Sequence, residues 1–296
     1  TLAASFAVGD TISLSFADAV PAYAYGFDQL AVVGFVQDDA TKEVKQTALS
    51  EPLVLPNYAV LKNCNPPAIP PLTCSSTVNG ITVEITNKGA NTLTTCDINY
   101  SVDGGAVSTY NWTGSLAPGA TTTATLSAVS ISGNGSHSMN INAANANGAV
   151  NPQCADTRTN LSFVANITGT VPPVTELFSA VTFPPAGWGR YDASADNTGW
   201  TRSTAGSGGN NGSAKMDYYS SAAGNIDELY LPSIDLTGVN AASLTFKICK
   251  APYSGYTDNL KVNVSTDCGA TWNTLWNKSD PALSTVAALG TAFTPG

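Results

Sequence analysis

The sequence predicts an all-β protein of tandem β-sandwich modules with a partial β-rich segment at its N-terminus. Three observations carry this. Only 11% of the 296 residues are charged, against about 25% in an average soluble domain. Thr, Ser and Asn together fill 88 positions, beside 26 Gly and 17 Pro, a β-favouring, turn-rich composition. Short alternating segments recur between turn residues along the middle of the chain. Long amphipathic helices need Glu, Lys, Arg and Gln on their wet face, and these are scarce. Helical bundles and doubly wound α/β enzymes are thereby excluded.

The first segment covers residues 1–56. TISLSF (residues 11–16) alternates polar and apolar side chains and predicts a half-buried strand. LAVVGFV (30–36) is a continuous apolar run bounded by polar turns and predicts a buried strand. DDATKEVKQTAL (38–49) has helical chemistry, with Asp38 or Asp39 as cap; a β-bulge and a continued strand fit it equally. So short a segment buries too little apolar area to fold alone. It requires a partner upstream or packing against the next module. PNYAVLKNCNPPAIPPL is proline-dense and predicts an extended, semi-rigid linker over residues 57–72.

Residues 73–170 hold six strand candidates at short intervals: GITVEIT, CDINYSVD, TYNWTG, TTATLSA, HSMNINAA and NLSFVANI. Turn signals separate them. About seven short strands in about 100 residues is the pattern of an immunoglobulin-like sandwich. Residues 104–155 carry no charge at all, which leaves Thr, Ser and Asn to face water. TVPPVT marks a second joint at residues 171–175. Residues 176–296 are again β-rich, with SLTFKICKA (243–251), NLKVNVS (259–265) and TWNTLWN (271–277) as the clearest strands. This third segment holds four of the five Trp residues.

The net charge of −9 offers no basic face for nucleic acid or anionic membrane. No apolar run approaches the ~20 residues of a membrane span. The chain opens without a basic start and apolar core of a signal peptide. Six cysteines, none in a CxxC pair, and a single histidine nearly exclude cysteine–histidine zinc sites. Disulfides in an oxidising, extracytoplasmic place are the reading favoured. Any Ser–His catalysis must use His137. That residue has no carboxylate nearby in sequence and reads as an exposed turn-edge histidine. No GxSxG, HExxH or phosphate-binding glycine loop is present. Asp227 and Glu228 are adjacent carboxylates near a strand, but a glycosidase pair must face across about 5–10 Å. No catalytic residue is expected, and the chain reads as a non-enzyme.

From residue 183 the sequence runs FPPAGWGRYDASADNTGWTR, then NIDELYLPSIDLTG, SLTFKI and DNLKVNVSTDCGATWNTL. This ordered set resembles the cleaved-adhesin or choice-of-anchor J domain, a jelly roll related to MAM domains. It covers residues 176–296, about two-fifths of the chain. The resemblance implies a non-catalytic adhesive or accessory module of Bacteroidota surface proteins exported by type IX secretion. NKGANTLTTCDINYSVDGG, YNWTGSLAPGAT and NGAVN look like the immunoglobulin-like modules of the same proteins. LAVVGFVQDDATKEVKQTA looks like the C-terminal strands of an outer-membrane lipoprotein family that joins a thioredoxin-like domain to a β-sandwich. The full expectation is an immunoglobulin-like sandwich followed by a jelly roll whose final strands are missing, both ends looking cut.

Candidate sites follow from the residues and the resemblance together. The acidic loop at residues 191–200 offers Asp192 and Asp196 to calcium, a cation that takes oxygen ligands. Similar loops bind calcium in some relatives, though with more Asp. Glu176 with Asp258 is the second candidate, since jelly rolls often clip their first strand to the sheet this way. Neighbouring strands would bring Cys249 to Cys268; Cys64 would close a short loop to Cys74, and Cys96 would join Cys154. Six cysteines allow 15 connectivities, and the sequence does not choose. Trp188 and Trp200 flank the polar loop and read as core plugs or as a sugar-stacking platform. Tyr218, Tyr219, Tyr253 and Tyr256 lie in or near loops, and Tyr253 and Tyr256 join the binding candidates. Asp10, Thr11 and Ile12 fit a short O-glycosylation pattern.

The expected protein is secreted or on the cell surface, associated with the outer membrane, and binds a glycan or a surface protein. Two competing readings are the non-catalytic tail of a secreted protease or glycosidase, and a substrate or component of the type IX secretion or gliding apparatus. Neither nucleic-acid binding nor membrane insertion is expected.

Overall fold

The computed structural model describes residues 13, 15, 24–63, 71–207, 211–291 and 293. Most of the strand expected at residues 11–16, the pattern at 10–12 and Cys64 lie outside the described residues. The fold is all-β, and no described helix is long and apolar enough to cross a membrane.

The centre is a β-sandwich. One sheet has five strands in the order Leu72–Thr73, Arg158–Ala165, Gly135–Ala144, Leu93–Val102, Ser108–Leu116. The other has three, Ala59–Asn63, Thr82–Asn87 and Thr121–Thr125. All six strands expected for this module are present. Alternation puts Val83 and Ile85 of one sheet and Leu93, Ile98, Met139, Ile141 and Phe163 of the other into a single core. Each such side chain contributes about 1.5–3 kcal/mol by leaving water. Between Leu93–Val102 and Ser108–Leu116 the chain turns at Asp103 (φ 50°) and Gly104 (φ 70°). That left-handed pair is why Asp-Gly stands there.

The described ends of the linker expected over residues 57–72 are instead strands of the sandwich. Ala59–Asn63 pairs along its whole length with Thr82–Asn87, and Leu72–Thr73 lies parallel to Val164 and Ala165. The physical reason is the apolar run Tyr58 to Leu61, which is wholly buried. The buried Asn151 fixes it further, accepting from Ala59 N at 3.0 Å and donating to Ala59 O at 2.9 Å.

Val33–Gln37 and Val44–Leu49 form an antiparallel hairpin with an irregularity at Val36 and Gln37. The strand alternative therefore holds for residues 38–49. Asp38 caps a turn, its Oδ1 accepting from Ala40 N and Thr41 N, and these bonds hold its carboxyl below the usual value. The expectation of a buried strand at 30–36 is overturned: Val33 is 64% and Phe35 60% exposed. No second sheet covers the hairpin among the described residues. The N-terminal segment does pack against the next module. Ala155 N donates to Ala24 O, Asp156 N donates to Tyr25 O, and Lys88 meets Asp28 at 2.7 Å.

Among the described residues of 176–296 the ladders are three pairs: Gly189–Asp192 with Asp227–Tyr230, Thr201–Ser203 with Ser213–Lys215, and Asn259–Val264 with Asn273–Ser279. Residues 243–251, expected as a strand, have no ladder. No strand among the described residues pairs with them, and Leu244 and Phe246 remain about half exposed.

The second joint does not separate the modules. Thr170 bridges to Ile234, and Leu72, Val164 and Tyr230 form a small buried cluster across the junction. Gly189 permits this contact, since a Cβ there would stand 2.3 Å from Val164 Cγ1. Beside the cluster, Cys74 is bonded to Cys268. This corrects the expected pairings of Cys249 with Cys268 and Cys64 with Cys74. Cys268 sits at a left-handed turn (φ 59°) and packs against the junction cluster, beside Leu72–Thr73. Cys249 is an exposed thiol, while Cys96 and Cys154 are buried thiols not bonded to each other. Cys96 faces the core and reaches Ala144 O; burial pushes its thiol up to about 12.

Candidate functional site

The third segment carries the candidate site. Gly189–Asp192 pairs with Asp227–Tyr230 so that Asp192 stands opposite Asp227. Like charges across a ladder repel. The loop after Asp192 folds back and adds Asp196, and one carboxylate oxygen from each of the three lies within 4.8 Å of the others. The loop is held by its own side chains. Asp192 accepts from Ser194 N and Asn197 N, Asp196 from Thr198 N and Oγ1, and Asn225 Nδ2 also donates to Asp196. The Thr198 bonds hold the Asp196 carboxyl below its usual value. Asp227 shifts the other way: burial first, then the charges of Asp192 and Asp196, push it up.

Asp227 Oδ1 is buried without a hydrogen-bond partner. A Cβ at Gly199 (φ 142°) would stand 3.0 Å from that same oxygen, so glycine keeps its approach clear. Converging carboxylates with an unsatisfied oxygen suit a hard, oxygen-seeking cation such as calcium. Asp192 and Asp196 thus come together as ligand candidates, joined by Asp227. Beside them lies a shallow cleft lined by Arg190, Thr198, Thr201, Lys215, Asp217 and Ser220.

The second acidic candidate is not assembled. Glu176 Oε1 accepts from the nearby Phe178 N. The charge of Asp258 is met by the buried Lys250, whose Nζ lies 2.8 Å from Asp258 Oδ2. An ammonium already occupies the place a clip cation would take.

The two candidate tryptophans do not share a platform. Trp188 is half-buried and meets Phe178 edge-on at 5.4 Å. Trp200 is half-buried and donates its indole N–H to Asp227 O at 3.1 Å. Tyr253 and Tyr256 do come together, with ring centroids 5.4 Å apart, and Tyr219 joins them 5.5 Å from Tyr253. Tyr219 is 78% and Tyr256 66% exposed. Tyr218 turns inward, with Lys250 over its ring.

His137 departs from its expected exposed position. It is buried at 8% exposure, its Nδ1 lies 2.6 Å from Asp103 Oδ2, and its Nε2 lies 3.3 Å from Gly133 O. Both ring nitrogens face acceptors at the edge of the sandwich, so this pair serves structure. The signal was present in the strand itself, where His137, Met139 and Ile141 share one face.

Residues 67–152 match the family model described as CARDB, a β-sandwich domain of surface and secreted proteins. A solution NMR structure of a CARDB domain from Pyrococcus furiosus is similar at 13% identity with a TM-score of 0.29, covering 39% of this chain and 100% of that chain. No curated protein matches the chain.

Proposed function

We propose that this chain is a non-catalytic surface or secreted protein whose third segment binds a glycan or a surface protein. The observation that carries the reading is the exposed contact trio Tyr219, Tyr253 and Tyr256. Exposed aromatic rings in mutual contact offer apolar area at low entropic cost, while hydroxyls at their rims keep the polar contacts that sugars require. The CARDB match over residues 67–152 supports a surface or secreted setting. The cleaved-adhesin-like motifs of residues 176–296, and export by type IX secretion, belong to the same proposal. Calcium held by Asp192, Asp196 and Asp227 would fix the loop next to the cleft rather than take part in a reaction.

The test is a glycan array together with a surface-protein pull-down, run on the chain and on a Tyr253→Ala/Tyr256→Ala double variant. Ligand capture by the chain and at least tenfold weaker capture by the variant are expected. Equal capture by both would remove the tyrosines from the site. No capture on either assay would leave adhesion without support.

A further inference from the structure

Lys250, Asp258 and Asp280 form a buried triad that the binding proposal does not use. Lys250 and Asp280 are each only 7% exposed at their side chains. Lys250 Nζ lies 2.8 Å from Asp258 Oδ2 and 2.9 Å from Asp280 Oδ2. We propose that Lys250 and Asp258 condense into an intramolecular isopeptide bond, with Asp280 as the proton-transfer group.

The triad is held from every side. Asp258 and Asp280 flank the paired residues Asn259 and Ser279, at one end of the last hairpin, and Asp280 N donates to Asp258 O. Both oxygens of Asp280 are anchored, Oδ1 by Ser284 Oγ at 2.6 Å and Oδ2 by Asp258 N at 3.1 Å. Lys250 is fixed through its backbone, N to Thr285 Oγ1 at 2.9 Å and O from Thr285 N at 2.9 Å. Such fixed proximity makes a reaction of amine and carboxyl effectively unimolecular. The Tyr218 ring covers the ammonium at 5.4 Å. Its own hydroxyl, pushed up to about 12 by burial and then by the charges of Asp258 and Asp280, stays neutral. A buried ammonium between two carboxylates costs desolvation, and an amide removes two of the three charges.

The assignment of roles follows from these contacts. Asp280, anchored on both oxygens, is placed to accept and return a proton. Asp258, whose carboxylate meets only the ammonium among the described residues, is placed to be attacked. The ammonium gives one proton to Asp258, which leaves a neutral amine beside a neutral carboxyl. The Nζ lone pair adds to Asp258 Cγ, and Asp280 takes a second proton from nitrogen. Asp280 then returns that proton to the departing hydroxyl. The Cγ–O bond breaks, water leaves, and an amide remains. The bond would fasten residues 243–251, which lack a ladder, to the Asn259–Val264 hairpin.

Intact-mass measurement of the reduced, denatured chain tests this. The chain is expected to weigh one water less than its sequence, with a branched tryptic peptide joining Lys250 to Asp258 and no cleavage after Lys250. Lys250→Arg is expected at full sequence mass. Asp258→Asn is expected to reach the same final mass as the cross-linked chain, because ammonia leaves in place of water. Asp280→Asn is expected to lose the cross-link. The full sequence mass for the unaltered chain overturns the proposal. So does a water loss that maps to peptides without Lys250, or a branch ending at Asp280. Cross-linking of Asp280→Asn at the unaltered level overturns the role given to Asp280.

Discussion

Cys74 and Cys268, 194 positions apart in sequence, are joined by a disulfide with their Cα atoms 5.8 Å apart. One cysteine follows an edge strand of the sandwich and the other lies in the last hairpin turn. The bond therefore ties the two modules at the point where Leu72, Val164 and Tyr230 bury their contact. A cross-link over so long a loop restricts mainly the unfolded chain, worth about 2–5 kcal/mol. Cys268→Ser is expected to lower stability by that order in urea unfolding. It is also expected to expose the junction to proteolysis near residues 171–175. An unchanged midpoint and digestion pattern would show that the apolar contact alone holds the modules.

The buried His137 and the half-exposed Asp103 yield a second expectation. Asp103 Oδ2 faces His137 Nδ1 while its Oδ1 accepts from Ser138 N at 2.9 Å. Asparagine tolerates the left-handed backbone at this position but has one acceptor oxygen for two donors. Asp103→Asn is expected to cost about 0.5–1.5 kcal/mol, the net worth of one hydrogen bond lost beside solvent. Thermal unfolding measures it. A change within error would show that the ring does not depend on this carboxylate.

The sandwich was readable because its strands alternate strictly between turn residues, as in Thr82–Asn87 with every second side chain buried. The Ala59–Asn63 strand was hidden by the prolines that follow it, and by a buried run too short to signal itself. Cysteine pairing could not be read, since Cys74 and Cys268 meet only through the docking of two modules. Asp227 is not legible as a ligand for a related reason. Its place opposite Asp192 depends on ladder register, which no local pattern specifies. Tyr253 and Tyr256 were nameable from their loop positions, but the contact with Tyr219 brings together residues more than thirty positions apart.

The turn that carries Cys268 should respond to acid. Asp267 accepts from Thr271 Oγ1 at 2.6 Å and Thr271 N at 2.9 Å. These bonds, and that from Ser265, hold its carboxyl down at about 2. A depressed carboxylate stabilises the fold above its unfolded value of 3.8, and that contribution is lost as pH falls through about 2. Protection of the Thr271 amide, its exchange rate by NMR set against the intrinsic rate at each pH, is expected to fall over this window and to be low at every pH in Asp267→Ala. Protection that stays level from pH 4 to about 2 would mean that the turn does not rely on the charged carboxylate.

Calcium binding is best tested through Asp227, because its position is the least comfortable without a cation. Burial and the charges of Asp192 and Asp196 raise its carboxyl, so ionised Asp227 works against folding once pH rises past its native value. A bound divalent cation reverses that sign by neutralising the cluster and satisfying the buried Oδ1. Ligand binding to the native state adds about 2.7 kcal/mol at a hundredfold excess over Kd. Calcium is therefore expected to raise the unfolding temperature near pH 7, and the rise is expected to shrink as pH falls into the carboxylate range. Asp227→Asn keeps the shape of the side chain but removes its charge from the repelling trio. It is expected to be at least as stable as the unaltered chain without calcium, and to lose most of the calcium response. Isothermal titration calorimetry and thermal unfolding with calcium or a chelator measure both halves. An equal calcium response in the two proteins would assign any bound ion elsewhere. A loss of stability in Asp227→Asn without calcium would show that the carboxylate is held by protein contacts rather than awaiting a cation.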